Sequence, residues 1–577
     1  MNHLNAFNAQ ISLKSKYEGN AHLIWAMGLY LNNANFSELA SECLTDGPDD
    51  RKIDFIKLDL DNERLILAQG YFAEKSKADK APANKAADLN TAAAWLLVGD
   101  LDKLPSKSKP NASLREIIKE SRKAIKNGEV KQIELLYVHN LPQSVHVTSE
   151  LKTVASYLRD SLPKMTDIIV ISKELGLQNI EELYNIQKSA ILIESTEECP
   201  ALIEFEQIGT TWSAAVLSVP GSWLRDMFIK HDEKLFSANY RGFLGISKRR
   251  PINNIIKNTA EKQSDNFWVF NNGITILTFD YKKNNKTTTI KGMSIINGAQ
   301  TTGSIGSVDS TIDLSGVKVL CRLIKCQDPS TVDDIILYNN TQNKIMTWDK
   351  FSKDPKQKSL VEEFKKFGHS YSLKRGFDPN SELGIEQVIQ SLLALRGYYA
   401  EANGGKNKAF MSDAVFDLAF KDAQARHILF AFCISRAIDE LRSALKEKKD
   451  HNIIIEQEEK QLILLRNLKF KYFLISVFGK CIDTLLGKKK DVKIISFSPD
   501  AAQKSNKSID DLVAEALPAV KFVLAFTVAT VNGKDFTEFL EEAEPLVKIS
   551  SNVNASLYAV LNTMYHPGIE NFKKIIN

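Results

Sequence analysis

Long apolar runs and a leader segment are both missing from the sequence. No uninterrupted apolar stretch reaches 18 residues, and no basic segment followed by an apolar one begins at Met1. Membrane-spanning helices and secretory signals need such stretches. We therefore expect a cytoplasmic protein that makes no contact with a membrane.

Paired cysteines and a nucleotide-binding P-loop are missing as well. The six cysteines are scattered without CxxC pairs or nearby histidines: Cys43, Cys199, Cys321, Cys326, Cys433 and Cys481. This spacing predicts reduced thiols rather than a zinc site or a disulfide framework. No GxxxxGK[ST] segment occurs in the chain, which argues against a P-loop ATPase.

Net charge is small for a chain of this length. The 75 basic and 71 acidic residues leave a formal charge of +4. Contact with nucleic acid would therefore have to come from local basic patches rather than from the overall field. With 577 residues, of which 44% are hydrophobic and 25% charged, the chain has an ordinary globular composition and is long enough for roughly two to four domains.

The stretch 267–303 holds two short polar clusters, each next to an apolar run. NNG (271–273) precedes ITIL (274–277), and NGAQT (297–301) follows MSII (293–296). Asn and Gly tolerate positive φ, so apolar runs bounded by them are typical of strands that enter tight turns. The small residues after the second cluster predict a helix N-terminus, whose free N–H groups suit an anion. Two turns that only join strands are the alternative.

The amino-acid sequence of this stretch is similar to that of a known family. FWVFNNGITI (267–276) and IINGAQT (295–301), with LFSANYRGFLG upstream (235–245) and YNNTQNK downstream (338–344), resemble the abortive-infection phage-resistance (AIPR) family of bacteria. The likeness is close over residues 192–396. It implies an antiviral defence protein that acts on nucleic acid through a central α+β AIPR domain.

Basic and amide side chains near these motifs are candidates for binding nucleic acid or a nucleotide. Lysine and arginine suit phosphate oxygens and make binding salt-dependent, while Asn and Gln suit a base edge or a ribose. The candidates are Arg241, Arg249, Arg250, Asn271, Asn272, Gly273, Asn297, Gly298, Gln300, Thr301, Asn340, Gln342, Asn343, Lys374 and Arg375. A solvated charged face is the alternative for the basic residues. Most of the nearby aromatic residues are expected in the core.

Two alternating segments near the N-terminus place an acid beside an amide. Segments 53–60 and 65–72 each alternate in character, which predicts two strands. If Asp61 and Asn62 form the turn, Asp54 lies opposite Gln69 in the hairpin. A carboxylate on an otherwise apolar sheet face is costly unless it is paired or binds a cation. An Asp54 that only caps N–H groups at the start of a strand is the alternative.

This arrangement resembles the restriction-endonuclease-like core, in which Asp on one strand is followed by (Asp/Glu/Gln)-x-Lys on the next. The resemblance implies that Asp54 and Gln69 are ligands for Mg²⁺ or Mn²⁺, that Glu38 or Glu42 completes the site, and that the chain is a Mg²⁺-dependent endonuclease for DNA or RNA. The sequence departs from the pattern at the lysine, where Tyr71 stands. Lys75 is the nearest lysine downstream and the candidate for its role.

Periodicity predicts further elements outside these motifs. Residues 1–31 are expected to form a helix, and 130–139 a strand. From residue 385 onward the pattern is helical, with one long helix over 455–485 and a strand-like segment at 549–554 (ISSNVN).

Together these features predict an α/β (α+β) chain of three domains. These are a restriction-endonuclease-like mixed domain (1–188), an AIPR core domain that binds nucleotide or nucleic acid (189–384), and a mostly helical domain (385–577). The expected function is abortive infection by a metal-dependent nuclease with a central sensing domain. The alternative is a non-catalytic sensor with a degenerate nuclease fold. We also expect a homo-oligomer, a dimer in the simplest case, and a partner protein of the same defence system.

Overall fold

A computed structural model describes residues 2–33, 35–45, 50–74, 80–100, 112–162, 168–186, 191–239, 251–340, 354–373, 381–410, 412–531 and 544–577. Helix makes up 58% of the structure and strand 18%, which confirms the predicted α+β class with a helical C-terminal region. The chain divides into two compact units. The larger unit comprises Phe7–Leu177 and Met346–Asn577, and the smaller unit comprises Met1–Ala6 and Gln178–Ile345. The three-domain division by sequence stays a prediction.

The N-terminal segment forms three helices where one was expected over 1–31. The first four helices are α1 (Asn2–Asn8), α2 (Ile11–Tyr17), α3 (Ala21–Leu31) and α4 (Phe36–Cys43). The break before α3 occurs because Glu18 has a φ of 41°, which is not helical. Helix α3 is buried from Ala21 to Tyr30, as its apolar composition on every side requires.

The larger unit contains a four-stranded sheet in the order β1-β2-β3-β4. Its strands are β1 (Phe55–Asp59), β2 (Arg64–Tyr71), β3 (Gln132–His139) and β4 (Ile169–Leu175). Strands β1 and β2 form an antiparallel hairpin, and β3 and β4 run parallel to β2. Phe55 pairs with Ala68, so the predicted register of the hairpin is confirmed. The connection is a 3₁₀ turn, Leu60–Asn62, followed by Glu63 with a φ of 53°.

Helices cover both faces of this sheet. The helices of this unit that follow α4 are α5 (Ala83–Ala87), α6 (Leu89–Leu97), α7 (Ala112–Lys126) and α8 (Val145–Ser161). The next helix in the chain, α9 (Leu177–Ile186), belongs to the smaller unit from Gln178 onward. Apolar side chains of α5 to α8 pack with Ile56 and Leu67 on one face. On the other face Tyr30 of α3 donates a hydrogen bond to Glu134 of β3 (2.9 Å).

In the described residues of its C-terminal segment, the larger unit forms helices and one short strand pair, β12 (Tyr371–Ser372) with β13 (Leu383–Gly384). The numbering of its helices starts at α15, because further helices of the smaller unit precede this segment in the chain. The helices are α15 (Pro355–Lys366), α16 (Ile385–Leu395), α17 (Tyr399–Asn403), α18 (Lys406–Phe410), α19 (Asp413–Phe420), α20 (Ala425–Asp450), α21 (Glu456–Leu465), α22 (Leu468–Lys480), α23 (Ile482–Leu486), α24 (Ile509–Val531), α25 (Glu544–Thr563) and α26 (Pro567–Lys574). They enclose an extensive apolar core.

Two predictions for this segment were wrong. The helix expected over 455–485 is divided into α21, α22 and α23, because Asn467 leaves helical backbone and its side chain caps α22 by accepting from the Lys469 N–H. The strand expected at 549–554 lies within α25. Ile549, Val553 and Leu557 are buried at intervals of four residues, which is the helical period.

One described helix, α24, is long and apolar enough to span a membrane by length and composition alone. Half of its most apolar window is buried inside the structure. Leu512, Val520 and Leu524 of α24 belong to the core of the C-terminal segment, which is the position of an internal helix of a folded protein.

The smaller unit is built on a seven-stranded sheet. Its strands are β5 (Ile193–Cys199), β6 (Ile203–Ile208), β7 (Trp212–Pro220), β8 (Ile274–Thr278), β9 (Asp280–Lys283), β10 (Thr288–Asn297) and β11 (Lys318–Cys326). The order is β5-β10-β8-β11-β7-β6, and β9 pairs with β10. Strands β8 and β11 are parallel, whereas the other pairs are antiparallel.

Helices pack against both faces of this second sheet. They are α10 (Gly221–His231), α11 (Pro251–Lys262), α12 (Phe267–Phe270), α13 (Ala299–Gly306) and α14 (Pro329–Asn340). Side chains from the first four join the main core of the unit on one face. On the other face, Ile335 and Ile336 of α14 pack on Leu277 and Ile324, and Lys318, Leu320 and Arg322 of β11 are exposed.

Candidate functional site

The structure brings Asp54 and Gln69 together at the start of the β1–β2 hairpin. Asp54 precedes β1, and its backbone N–H donates to the Ala68 carbonyl (3.1 Å), which extends the ladder by one residue. Its side chain is buried. One carboxylate oxygen, Oδ2, accepts hydrogen bonds from Gln69 Nε2 (2.6 Å) and from the Gly70 backbone N–H (2.7 Å). The acid and the amide are therefore held as one unit.

Tyr137 continues this polar row onto the next strand. Gln69 of β2 pairs with Tyr137 of β3, so the two side chains point to the same face. Gln69 Oε1 and the Tyr137 hydroxyl are buried, and neither has a hydrogen-bond partner among the described residues. Buried polar atoms of this kind usually bind water, an ion or a ligand. Burial, reinforced by Tyr71 and nearby carboxylates, raises the pKa of Tyr137, which keeps its hydroxyl protonated.

A cavity of about 280 Å³ opens beside this row. Asp54, Gln69 and Tyr71 line it from the hairpin, together with Lys52 and Lys85. The cavity thus joins two carboxylates, those of the buried Asp54 and of Asp50, to two lysine side chains, a combination that suits a phosphate and its counter-cation.

The two lysines could not be found from the spacing of the motif. Tyr71, at the position where a lysine was sought, is half-buried and packs on the apolar core of α5 to α8. Lys75 lies outside the described residues. Lys52 reaches the cavity because Arg51 and Lys52 have positive φ values of 54° and 66°, and Lys85 arrives on α5.

Glu38 does not reach this cavity. Helix α4 packs on the opposite face of the sheet, and Lys471 and Lys406 lie 3.6 Å from the two oxygens of the Glu38 carboxylate. Asn35, whose side chain caps α4, also contacts Glu38. The prediction that Glu38 completes the Asp54 site is therefore not supported by its position, and the physical reason is the side of the sheet on which α4 packs.

The donor set can be tested for metal binding. No group of three or more His, Cys, Asp and Glu residues with metal-site geometry occurs among the described residues. Asp54 offers a carboxylate, and Gln69 Oε1 would join it as a second oxygen ligand once the side-chain amide turns over, because Nε2 donates to Asp54 Oδ2 in this structure. Such a set fits Mg²⁺, which keeps several waters and commonly takes only one or two protein carboxylates together with substrate phosphates.

The two turns of the smaller unit meet at one edge of its sheet. Asn271 Oδ1 accepts from the Gly273 N–H (2.8 Å) and from the Thr301 hydroxyl (3.2 Å). The φ values of Gly273 and Gly298 are 78° and 89°, which confirms the predicted tight turns. Helix α13 follows the second turn as predicted.

A second polar group lies next to these turns. Asn297 Nδ2 donates to the Asn339 carbonyl (3.1 Å). Arg322 donates to Asn339 Oδ1 and to the Thr275 hydroxyl. Asn297 thus supports the structure around it, a role that the sequence did not indicate.

Two predicted binding residues stay open for a ligand. Asn272 is exposed and Gln300 is half-buried, and the described part of the chain gives neither side chain a hydrogen-bond partner. Asn340 ends α14, but its side chain is not described. The other candidates lie outside the described residues: Arg241, Arg249, Arg250, Gln342, Asn343, Lys374 and Arg375.

The smaller unit thus belongs to a class of α+β proteins in which two Asn/Gly turns lie side by side at the ends of adjoining strands. A family model described as "AIPR protein" matches residues 236–516, a little under half of the chain, and this region contains both turns. The match supports the AIPR family and a role in bacterial abortive infection. It does not include Asp54 or Gln69, so the restriction-endonuclease-like fold stays a prediction. No curated protein and no solved structure matches the chain.

Proposed function

We propose that this protein is an anti-phage effector that cleaves nucleic acid, and that the cavity beside Asp54 is its active site. The observation that carries the proposal is the Asp54–Gln69 pair, whose second amide atom, Gln69 Oε1, is buried without a described partner. The match to the AIPR family supports the defence role. Lys52 and Lys85 at the same cavity support a phosphate-bearing substrate.

Each side chain has a definable part in this proposal. Asp54 and Gln69 would hold a divalent cation, Mg²⁺ or Mn²⁺. When bound, such a cation polarises a phosphoryl oxygen and generates hydroxide from a bound water. Lys52 and Lys85 would orient the phosphate by charge.

The test is cleavage of plasmid DNA and of RNA by the purified protein with Mg²⁺ or Mn²⁺. Asp54→Asn keeps the size of the side chain and an acceptor for the Gly70 N–H but removes the charge. We expect it to slow cleavage by about 10²-fold or more, the effect of removing one group that stabilises charge in a transition state. Asp160→Asn, at an exposed carboxylate of α8, is the matched control and should cleave at the normal rate.

Two results would count against an active site at Asp54. One is equal cleavage by Asp54→Asn and the wild type. The other is the same loss of activity in Asp160→Asn, which would indicate a general effect on the protein. Thermal unfolding of each variant shows whether the fold is intact.

A second candidate function is binding of nucleic acid or a nucleotide without cleavage. It is favoured by Tyr71, which cannot supply the fixed cation of the nuclease pattern, and by the Gln69 amide, which donates to Asp54 rather than facing a shared cation. Binding of both nucleic acids without turnover under every metal condition would favour this function over the nuclease.

A further inference from the structure

One face of the smaller unit's sheet is exposed along the first part of β11. Lys318, Leu320 and Arg322 alternate along β11 with buried residues and are all exposed. Helix α14 covers the same face farther along, around Leu277 and Ile324. The exposed part therefore begins where α14 ends.

A continuous row of side chains crosses this face over five strands. Phe205 pairs with Val216, Val216 with Arg322, Arg322 with Thr275, and Thr275 with Asn297. Paired residues of adjacent strands point to the same side of a sheet. Phe205, at the edge, is 61% exposed, which is unusual for a phenylalanine ring on a sheet.

The NNG turn borders the exposed part of β11. A Cβ on Gly273 would collide with the Leu320 carbonyl oxygen, so the turn lies directly on β11. Helix α12, which leads into this turn, packs its Phe267 in the core on the opposite face of the sheet, so α12 belongs to that face rather than to this one. Asn272 of the same turn is exposed, and its side-chain amide has no hydrogen-bond partner among the described residues.

The charge of this face selects among ligands. The outward side chains of β7 and β11 include Val216, Ser218, Lys318, Leu320 and Arg322, and the outward positions of these two strands carry no carboxylate. The edge strand β6 carries Glu204 and Glu206 on either side of Phe205, so the positive charge is concentrated at Lys318 and Arg322 of β11. Cationic side chains of this kind attract polyanions. Exposed rings stack on unpaired bases, which a duplex keeps inside its helix.

We infer that this face, defined by Phe205, Lys318, Leu320 and Arg322, binds single-stranded nucleic acid. The backbone phosphates contact Lys318 and Arg322, and a base stacks on Phe205. The inference deepens the proposed function, on which it rests for the substrate class, by specifying single strands. It needs no contribution from Asp54.

The experiment measures binding of a fluorescent single strand of about 20 nucleotides, as DNA and as RNA, to the full chain by anisotropy. EDTA is present, so metal-dependent cleavage does not occur. Phe205→Ala is expected to raise Kd about tenfold, within the range for loss of one base–aromatic contact. Lys318→Gln is expected to weaken binding and to reduce the slope of log K against log salt by about 0.7.

Matched controls exist for both variants. Ile208 lies on the same strand as Phe205 and is 76% exposed, but it pairs with Ser213 and so points to the other face. Lys282 is an exposed lysine of β9, which pairs with β10 rather than with β7 or β11. Ile208→Ala and Lys282→Gln should bind as the wild type does.

Several results would overturn the inference. They are no binding of single strands by the wild type, equal losses in test and control variants, or a duplex of the same sequence binding as tightly as the single strand. If the wild type does not bind single strands, a protein partner would be the remaining ligand for this face. If Phe205→Ala does not fold, the Kd of Lys318→Gln and the slope of its log K against log salt still test the inference. The result is separate from cleavage, because Asp54→Asn should bind single strands normally even where it fails to cut them.

Discussion

At the scale of single residues, Tyr71 occupies the lysine position of the nuclease pattern, so the positive charge of the cavity has to come from other residues. Its ring packs on the apolar core of α5 to α8, and this packing explains why an aromatic residue is stable at the position of a charged one. The structure offers Lys52 and Lys85 at the cavity instead. Lys52 Nζ is 3.7 Å from Asp88 Oδ2, so Lys85 is the better candidate for contact with a phosphate.

This assignment predicts the behaviour of a pair of variants. Lys85→Ala should slow cleavage by about 10²-fold, because one charge that stabilises the reacting phosphate is lost. Tyr71→Lys in the Lys85→Ala background should recover a large part of that loss, since it places a cation where the nuclease pattern has one. Initial rates of cleavage at saturating Mg²⁺ provide the measurement.

Lys80→Ala is the control for this pair, because Lys80 is exposed and does not line the cavity. Tyr71→Phe separates loss of the hydroxyl from gain of charge and should not rescue Lys85→Ala. A Lys85→Ala protein with normal rates would show that the phosphate is held by other groups.

At the scale of elements, buried charges join α4 to two C-terminal helices within the larger unit. Lys471 of α22 is 1% exposed and Asp439 of α20 is fully buried, and they form an ion pair of 2.7 Å. Lys471 also lies 3.6 Å from Glu38. Burial alone would raise the pKa of Glu38, but Lys406 and Lys471 outweigh it and lower the pKa to about 2. Glu38 is thus a structural carboxylate in this position.

The ion pair of Lys471 with Asp439 predicts that substitutions of its two residues have non-additive effects on the free energy of unfolding. Lys471→Met should lower the free energy of unfolding by about 3 to 5 kcal/mol, because it leaves Asp439 buried without its main partner. Lys471→Met combined with Asp439→Leu should regain most of this loss, since paired apolar groups avoid the desolvation of two charges. Urea unfolding followed by circular dichroism measures both effects.

Lys469→Met is the control on the same helix, because Lys469 is exposed. It should change stability by less than about 0.5 kcal/mol. Additive losses in the double variant would show that the two side chains do not act as a buried pair.

At the scale of the whole molecule, local patterns predicted local geometry and failed where distant segments meet. The pairing of Asp54 with Gln69 followed from alternation and turn length, and the turns at Gly273 and Gly298 followed from residue type. Both depend on neighbours in the chain.

The errors have a common physical origin. The position of Glu38 depends on the packing of α4 against C-terminal helices, and that of Lys85 on the packing of α5. The segment 549–554 is rich in β-branched and polar residues, yet it is helical because Ile549 and Val553 are buried in the C-terminal core. In each case the structure depends on tertiary contacts with residues that are distant in the chain, and a local sequence pattern does not include such contacts.

The larger unit should lose stability in acid through Glu382. Burial would raise the pKa of this carboxyl, but hydrogen bonds from His369, Lys504 and the Ser370 N–H lower it to about 2 from its usual 4.5. The folded state then holds fewer protons than the unfolded state, so the stabilisation is complete above about pH 4.5 and disappears as the pH falls toward about 2. Its size is on the order of 3 kcal/mol.

A comparison of Glu382→Gln with the wild type tests this stabilisation. The variant should unfold at lower urea near neutral pH, and the difference should shrink through the range from about pH 4.5 to about pH 2 as Glu382 of the wild type becomes protonated. Glu150→Gln, at an exposed carboxylate of α8, should match the wild type at every pH. If the difference between Glu382→Gln and the wild type were the same at pH 7 as at about pH 2, ionisation of Glu382 would not be its source, and the contacts of the side chain with His369 and Lys504 would stabilise the fold by geometry rather than by charge.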